Sequence, residues 1–284
     1  MTQVIHLGHT VGPFEGRIDD DAALAYALAT DDPNPVYVDG DAVPPLYTVS
    51  LALPALLRGN HEGVDIGAMP GVRAGVHGEH DVFFHQPVSR GMRLRWSSVT
   101  HAAANTPAGV LVTQRIVLTD AADAPVVEHL WSTLYIGGTI DEPLGPAIPE
   151  HTFPEPAREH PLGSHTFAVT RDQSFRYAGA STDHAPIHID DEAARRAGFP
   201  SKFLQGLCTF AMCSGAVVKV AAGGDPLILR RIAGRFASPV FPRHELVVEV
   251  FDAGSMPDGG RCAAFEATSA GRVVVKHGRA ELAA

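Results

Sequence analysis

The chain repeats itself. Residues 26–39 read YALATDDPNPVYVD and residues 177–190 read YAGASTDHAPIHID, and the two align without a gap. Tyr26 falls on Tyr177 and Tyr37 on His188, a constant offset (177 − 26 = 188 − 37 = 151). Ala27, Asp32, Pro35 and Asp39 fall on Ala178, Asp183, Pro186 and Asp190. Two copies at this period mean a duplicated domain, because a solenoid needs more repeats to bury its faces.

The order of elements repeats as well. Each segment leads to an apolar, helix-like run, LYTVSLALPALL (46–57) and KFLQGLCTFAMCSGAVVKV (202–220). Each run leads to a strand entrance of Phe, two residues and Pro-Val: FHQPV (84–88) and FASPV (236–240). Strands are expected over 93–101, 109–119 and 126–137, and again over 245–253, 261–270 and 272–282, where β-branched residues are frequent. Each copy therefore reads as a helix followed by an antiparallel meander, an α+β unit. The 203–220 run is apolar nearly all round, so its helix is expected to be buried on every side, as one wrapped by a curved sheet would be. Pro54 predicts a kink or break in the first-half helix. The first copy is expected over 1–137 and the second over 165–284, joined by an extended Pro-rich linker over 138–164.

Composition narrows the functions. With 45% apolar residues in 284, a packed core is the expectation. Net charge is −10 with no basic stripe, which argues against nucleic-acid binding. A few local Arg and Lys residues could still hold an anionic ligand. Cys208, Cys213 and Cys262 show no paired spacing, so neither a disulfide framework nor a cysteine zinc site is expected. A reducing cytoplasm fits that usage, with Cys208 and Cys213 as packing residues. The first residues lack a basic start before an apolar run, so no signal peptide is expected, and no run is long enough for a membrane span.

The two copies differ where chemistry is expected. The second has Asp183 and His188, five apart around Pro186. A carboxylate accepts hydrogen bonds and an imidazole accepts and donates, so the pair can hold and activate a water. The first copy keeps Asp32 but has Tyr37 in the histidine place, and a phenol with pKa about 10 is a poor base near neutrality. His184 and His188 would share a helix face as metal ligands. Pro186 lies between them and argues against helix, and HExxH is absent, so no metal is expected.

Residues 177–215 resemble the signature of MaoC-like dehydratases and the (R)-specific enoyl-CoA hydratase 2 family: Asp-x-Asn-Pro-x-His, then Asp, then Ala-x-x-x-Gly-Phe, then His-Gly before a helix. The matching positions are Asp183, Pro186, His188, Asp190, Ala194, Gly198, Phe199 and Gly206. Two positions depart from the pattern: Ala185 stands for its Asn, which the first copy keeps as Asn34, and Gln205 for its His. The resemblance implies a double hot-dog fold with the active site in the C-terminal copy. It implies reversible hydration of a trans-2-enoyl thioester of CoA or acyl-carrier protein, without cofactor, in a homodimer. Asp183 and His188 would grip the water, Gly206 N–H would face the thioester carbonyl, and Ser214 would be a polar residue at the site. Ala185, Pro186, Gln205, Lys202, Arg235 and Arg243 are candidate substrate contacts, the last two and Lys202 for phosphates. Two other activities stay open: a hot-dog thioesterase, since fold does not fix function, and acyl-CoA binding without turnover.

Overall fold

In the computed structural model, which describes residues 4–284, the chain divides into two compact units. The first comprises the chain up to Arg17, Leu51–Gln86 and Arg93–Glu150; the second comprises Ile18–Ser50, Pro87–Met92 and His151–Ala284. Compactness thus follows a different division from the linear repeat over 1–137 and 165–284, because residues 18–50 belong with the C-terminal segment.

The first unit holds five antiparallel strands: β1 (Thr10–Arg17), β2 (Ala74–Phe84), β3 (Arg93–Thr106), β4 (Gly109–Thr119) and β5 (Pro125–Ile136). Their order is β1-β3-β4-β5-β2. Leu51–Gly63 of a helix spanning Thr48–Gly63 packs on this sheet, with Gly59 pressed on the side chains of Ser98 and Gln114. Beneath it, Ser98 Oγ donates to Gln114 Oε1 (3.1 Å), and Gln114 Nε2 donates to Thr100 Oγ1 (3.1 Å). These buried polar groups are therefore satisfied in place. Pro54 was expected to kink or break this helix, yet the helix is assigned unbroken through it. Pro54 is exposed, so water can serve the carbonyl that loses its N–H partner.

The second unit repeats the topology. Its strands are β6 (Pro161–Ala168), β7 (Leu229–Phe236), β8 (Glu245–Ser255), β9 (Arg261–Ser269) and β10 (Arg272–Leu282), in the order β7-β10-β9-β8-β6. Read from the other edge this is the order of the first sheet. Two sequence expectations change. The Pro-Val motif stands at a strand exit, since Phe84 and Phe236 end β2 and β7, and a proline cannot donate to a ladder beyond them. The Pro-rich stretch is only partly linker, since Glu155–Glu159 forms a 3-10 turn and β6 starts at Pro161.

In chain order the helices are α1 (Asp20–Ala29), α2 (Pro35–Val38), α3 (Thr48–Gly63), α4 (Gln173–Ser181), α5 (Pro186–Ile189), α6 (Asp191–Arg196) and α7 (Gly206–Ala221). All but α3 lie within the second unit. α7 packs on β6, β7, β8 and β9, and its residues from Leu207 to Val218 are all buried. Each fully buried side chain such as Phe210 contributes about 1.5–3 kcal/mol. Gly234 on β7 leaves room for the Phe210 ring, which a Cβ there would meet at 2.9 Å.

α1 and α4 are the two copies of one helix, and they pack together. Tyr26 and Tyr177 meet there, buried, with hydroxyls 3.5 Å apart. Thr30 Oγ1 donates to the Tyr26 carbonyl and Ser181 Oγ to that of Tyr177, the same bond in each copy. Asp31 and Thr182 follow with φ of 52° and 63°, so both copies leave the helix through one left-handed residue. Gln173 Nε2 and Arg176 Nη1 donate to the last carbonyls of α1, Ala29 and Leu28. Those groups have no partner within a helix.

Asp32, just beyond, lies against α7 at Gly215, where a Cβ would stand 2.9 Å from its carboxylate oxygen. Gly215→Ala is therefore expected to lower stability by about 1–3 kcal/mol through overpacking. Denaturant unfolding measures the loss, and a variant as stable as wild type would contradict this packing.

Candidate active site

Both copies build the same small loop. In the first, Tyr37 N donates to the Asn34 carbonyl and Asp39 N to that of Pro35. In the second, His188 N donates to the Ala185 carbonyl and Asp190 N to that of Pro186. Pro186 was expected to argue against helix, but it opens a four-residue helical turn. At that first position a missing N–H costs nothing and the ring pre-sets φ. The turn buries His188 and leaves His184 outside it, exposed.

His188 is held in one orientation. Its Nδ1 lies 2.9 Å from the Phe203 carbonyl, and its ring meets the Phe203 ring edge-on at 4.8 Å. A carbonyl only accepts, so Nδ1 carries the hydrogen and the lone pair is on Nε2. Burial holds the imidazole below its ordinary pKa, partly opposed by the Phe203 carbonyl and the Asp183 charge. The ring is therefore neutral near pH 7, and Asp183 lies within electrostatic reach of it.

Asp183 is half-buried, and its Oδ1 accepts from Ala185 N (3.2 Å). Asn34 caps α2 by accepting from Val36 N, which Ala185 cannot do for α5. Replacing that Asn removes a loop-shaping bond, whereas the bond from the backbone to the Asp is common to both copies.

Gln205 is not placed as a substrate contact. It is fully buried at the start of α7, and its Nε2 donates to the carbonyls of Ser174 (3.1 Å) and Asp183 (3.2 Å). One amide thus ties the Asp183 loop and α4 to the start of α7. Gly206 is the first residue of α7, so its N–H has no partner within the helix. The helix dipole adds positive potential there. The Phe236 ring lies beside it, 3.4 Å from where a Cβ would stand. Ser214 is buried on α7, and its Oγ has no hydrogen-bond partner among the described residues.

The cation candidates are dispersed. Lys202 pairs with Asp191 (3.5 Å) and lies over the Phe175 ring. Arg243 is exposed on a loop with φ of 71°, and Arg235 is half-buried on β7 opposite Lys276. Cys208 and Cys213 are buried, with thiols pushed up by burial. Sequence reasoning missed Phe203, which acts through its backbone carbonyl and so left no side-chain signal.

A profile of the MaoC like domain matches residues 152–270, which include Asp183, His188, Gly206 and Ser214. Residues 152–270 are a MaoC-like domain. The chain is also similar to a 3-hydroxyacyl-thioester dehydratase Y of Mycobacterium tuberculosis, 32% identical over 182 residues, 60% of this chain and 59% of that one. It spans between 23% and 60% of the length of the first curated relatives it matches. Its fold matches a crystal structure of a MaoC-like dehydratase from Phytophthora capsici, with TM-score 0.82, 23% identity, and 98% and 97% of the two chains covered. It also matches a Mycobacterium tuberculosis protein described as a double hotdog fold, with TM-score 0.62, 14% identity, and 98% and 96% covered. The fold is a double hot-dog, with antiparallel strand pairing within each unit.

The first-copy loop lies outside the matched residues 152–270 and is electrostatically different. Burial pushes the Asp32 carboxyl up to about 6, opposed by the Asn34 N–H and the Lys219 charge. Tyr37 is buried, and its hydroxyl has no hydrogen-bond partner among the described residues. A carboxyl raised from 3.8 to about 6 binds its proton more tightly when folded, so stability is lost as pH rises through 6. Asp32→Asn cannot ionise and is expected to gain about 1–2 kcal/mol at about pH 8 and nothing near pH 3.5. Thermal melts at the two pH values check this; an equal shift at both would contradict it.

Proposed function

We propose that the MaoC-like domain hydrates, and in reverse dehydrates, a trans-2-enoyl thioester, with the enoyl-CoA form as substrate. The observation that carries this reading is His188, buried and neutral, with Nδ1–H fixed on the Phe203 carbonyl and Nε2 left as a base beside the Asp183 charge. The names of the curated relatives, enoyl-CoA hydratase 2 and 3-hydroxyacyl-thioester dehydratase among them, support the same chemistry.

The step balances simply. Asp183 and His188 hold one water. Its oxygen bonds to the β-carbon, the C=C pair moves toward the α-carbon and thioester oxygen, and the Asp183–His188 pair takes the water proton. The same pair returns a proton to the α-carbon, on the face where water added. The Gly206 N–H, at the positive end of α7, meets the charge that develops on the thioester oxygen; a preorganised donor of this type is worth about 3–4 kcal/mol. Ser214 adds a hydroxyl at the same helix. By this reading the carrier is CoA, and the protein acts as a homodimer in a reducing cytoplasm.

Asp183→Asn and His188→Ala are each expected to cut hydration of crotonyl-CoA by about 10²–10⁴-fold while leaving the fold intact. Tyr37→Phe is expected to keep near-wild-type turnover. Loss of enoyl absorbance follows all three, and an inactive Tyr37 variant beside an active His188 variant would place the site in the wrong copy.

Protonation removes the Nε2 lone pair, and burial holds the His188 pKa below 6.5. The acid limb of kcat/KM is therefore expected below pH 6.5, the ordinary histidine value. A limb at or above 6.5 that His188→Ala abolishes would contradict a buried neutral base.

A further inference from the structure

An open groove of about 520 Å³ lies wholly within the first unit, where β1 meets β3 and the β4–β5 turn rises beside them. Its size is in the range of small-molecule sites. Its lining is unusual for a chain of net charge −10: Arg17, Arg93 and Arg95 all face it, with Glu15 and Asp120.

The ladder register shows where the charge is unbalanced. Glu15 stands directly opposite Arg95, and Arg17 directly opposite Arg93. Directly opposed residues of an antiparallel pair share a face, and successive residues alternate. These four charged side chains therefore share the outer face, while Leu94 and Trp96 are buried on the inner one. Arg95 is met by Glu15 across the ladder and by an ion pair with Asp123. Asp120 Oδ1 is occupied by the N–H groups of Ala122 and Ala124. Arg17 and Arg93 remain, and neither guanidinium has an ion-pair or hydrogen-bond partner among the described residues. Like charges directly opposed across a ladder destabilise it. Two such guanidinium forks lining one groove match the oxygens of a phosphate group.

We propose that Arg17 and Arg93 form an anion site that binds a phosphate group, separate from the Asp183–His188 loop. Its ligand is either free phosphate or the phosphate of a nucleotide lying along the groove. The site does not depend on the hydratase reading.

Calorimetric titration of the whole chain with inorganic phosphate and with adenosine 3′,5′-bisphosphate tests it. Saturable binding of one anion per chain is expected, weakened by salt. Arg17→Gln/Arg93→Gln is expected to lower the affinity by about tenfold or more. Tighter nucleotide than phosphate identifies the nucleotide as the source, and equal affinity identifies free phosphate. Both arginines are exposed, so the variant is expected to fold. Without ligand, Arg93→Gln alone should melt no lower than wild type, since it relieves repulsion. Absence of saturable binding to either probe, or undiminished binding by the double variant, would overturn the proposal.

Discussion

A helix with no solvent face organises the second unit. α7 is buried from its first turn to near its last, so whatever touches its ends is fixed relative to the core. Gln205 exploits this at the start, where one amide donates to both the Asp183 carbonyl and the Ser174 carbonyl on α4. Gly215 does so farther along, where the absence of a side chain admits Asp32. The Asp183–His188 loop and its first-copy counterpart are thus both seated on the same helix. A buried helix supports precise placement because cores are packed densely and resist small shifts.

Duplication explains the shape of this arrangement, and divergence explains its chemistry. The two loops share backbone hydrogen bonds, a left-handed residue before the Asp, and a proline opening a short turn. What differs is side chains. His188 gains the Phe203 carbonyl and stays neutral, whereas Tyr37 is a buried phenol pushed above its ordinary pKa. Asp32 sits in a drier setting that raises its carboxyl to about 6. Asn34 spends its amide on structure, accepting from Val36 N and donating to the Gly224 carbonyl.

Much of this was legible in the residues. The gap-free repeat predicted two copies of one topology, and the strand orders match. Strands over 109–119 and 272–282 coincide with β4 and β10, because β-branched runs bounded by turns specify strands well. The first two strands of each copy, β1 and β2, β6 and β7, were not read; β1 and β6, TVGPFEGR and PLGSHTFA, are short edge strands with Gly and Pro, whose pairing depends on distant partners. The Phe-x-x-Pro-Val motif was read as a strand entrance, whereas its Phe ends β2 and β7. Pro54 did not break its helix, because exposure lets water compensate for a lost bond. At the site, Asp183 and His188 came from side-chain chemistry, while Phe203 and the bracing role of Gln205 depend on backbone carbonyls that one sequence does not display.

The central claim is that water adds across a carbon–carbon double bond and leaves the thioester whole. Turnover of trans-2-enoyl-CoA in ¹⁸O-labelled water tests it most directly. The account predicts one labelled oxygen in the C3 hydroxyl of an intact 3-hydroxyacyl thioester. Label in a free carboxylate with released thiol, or no label in any product, would contradict it.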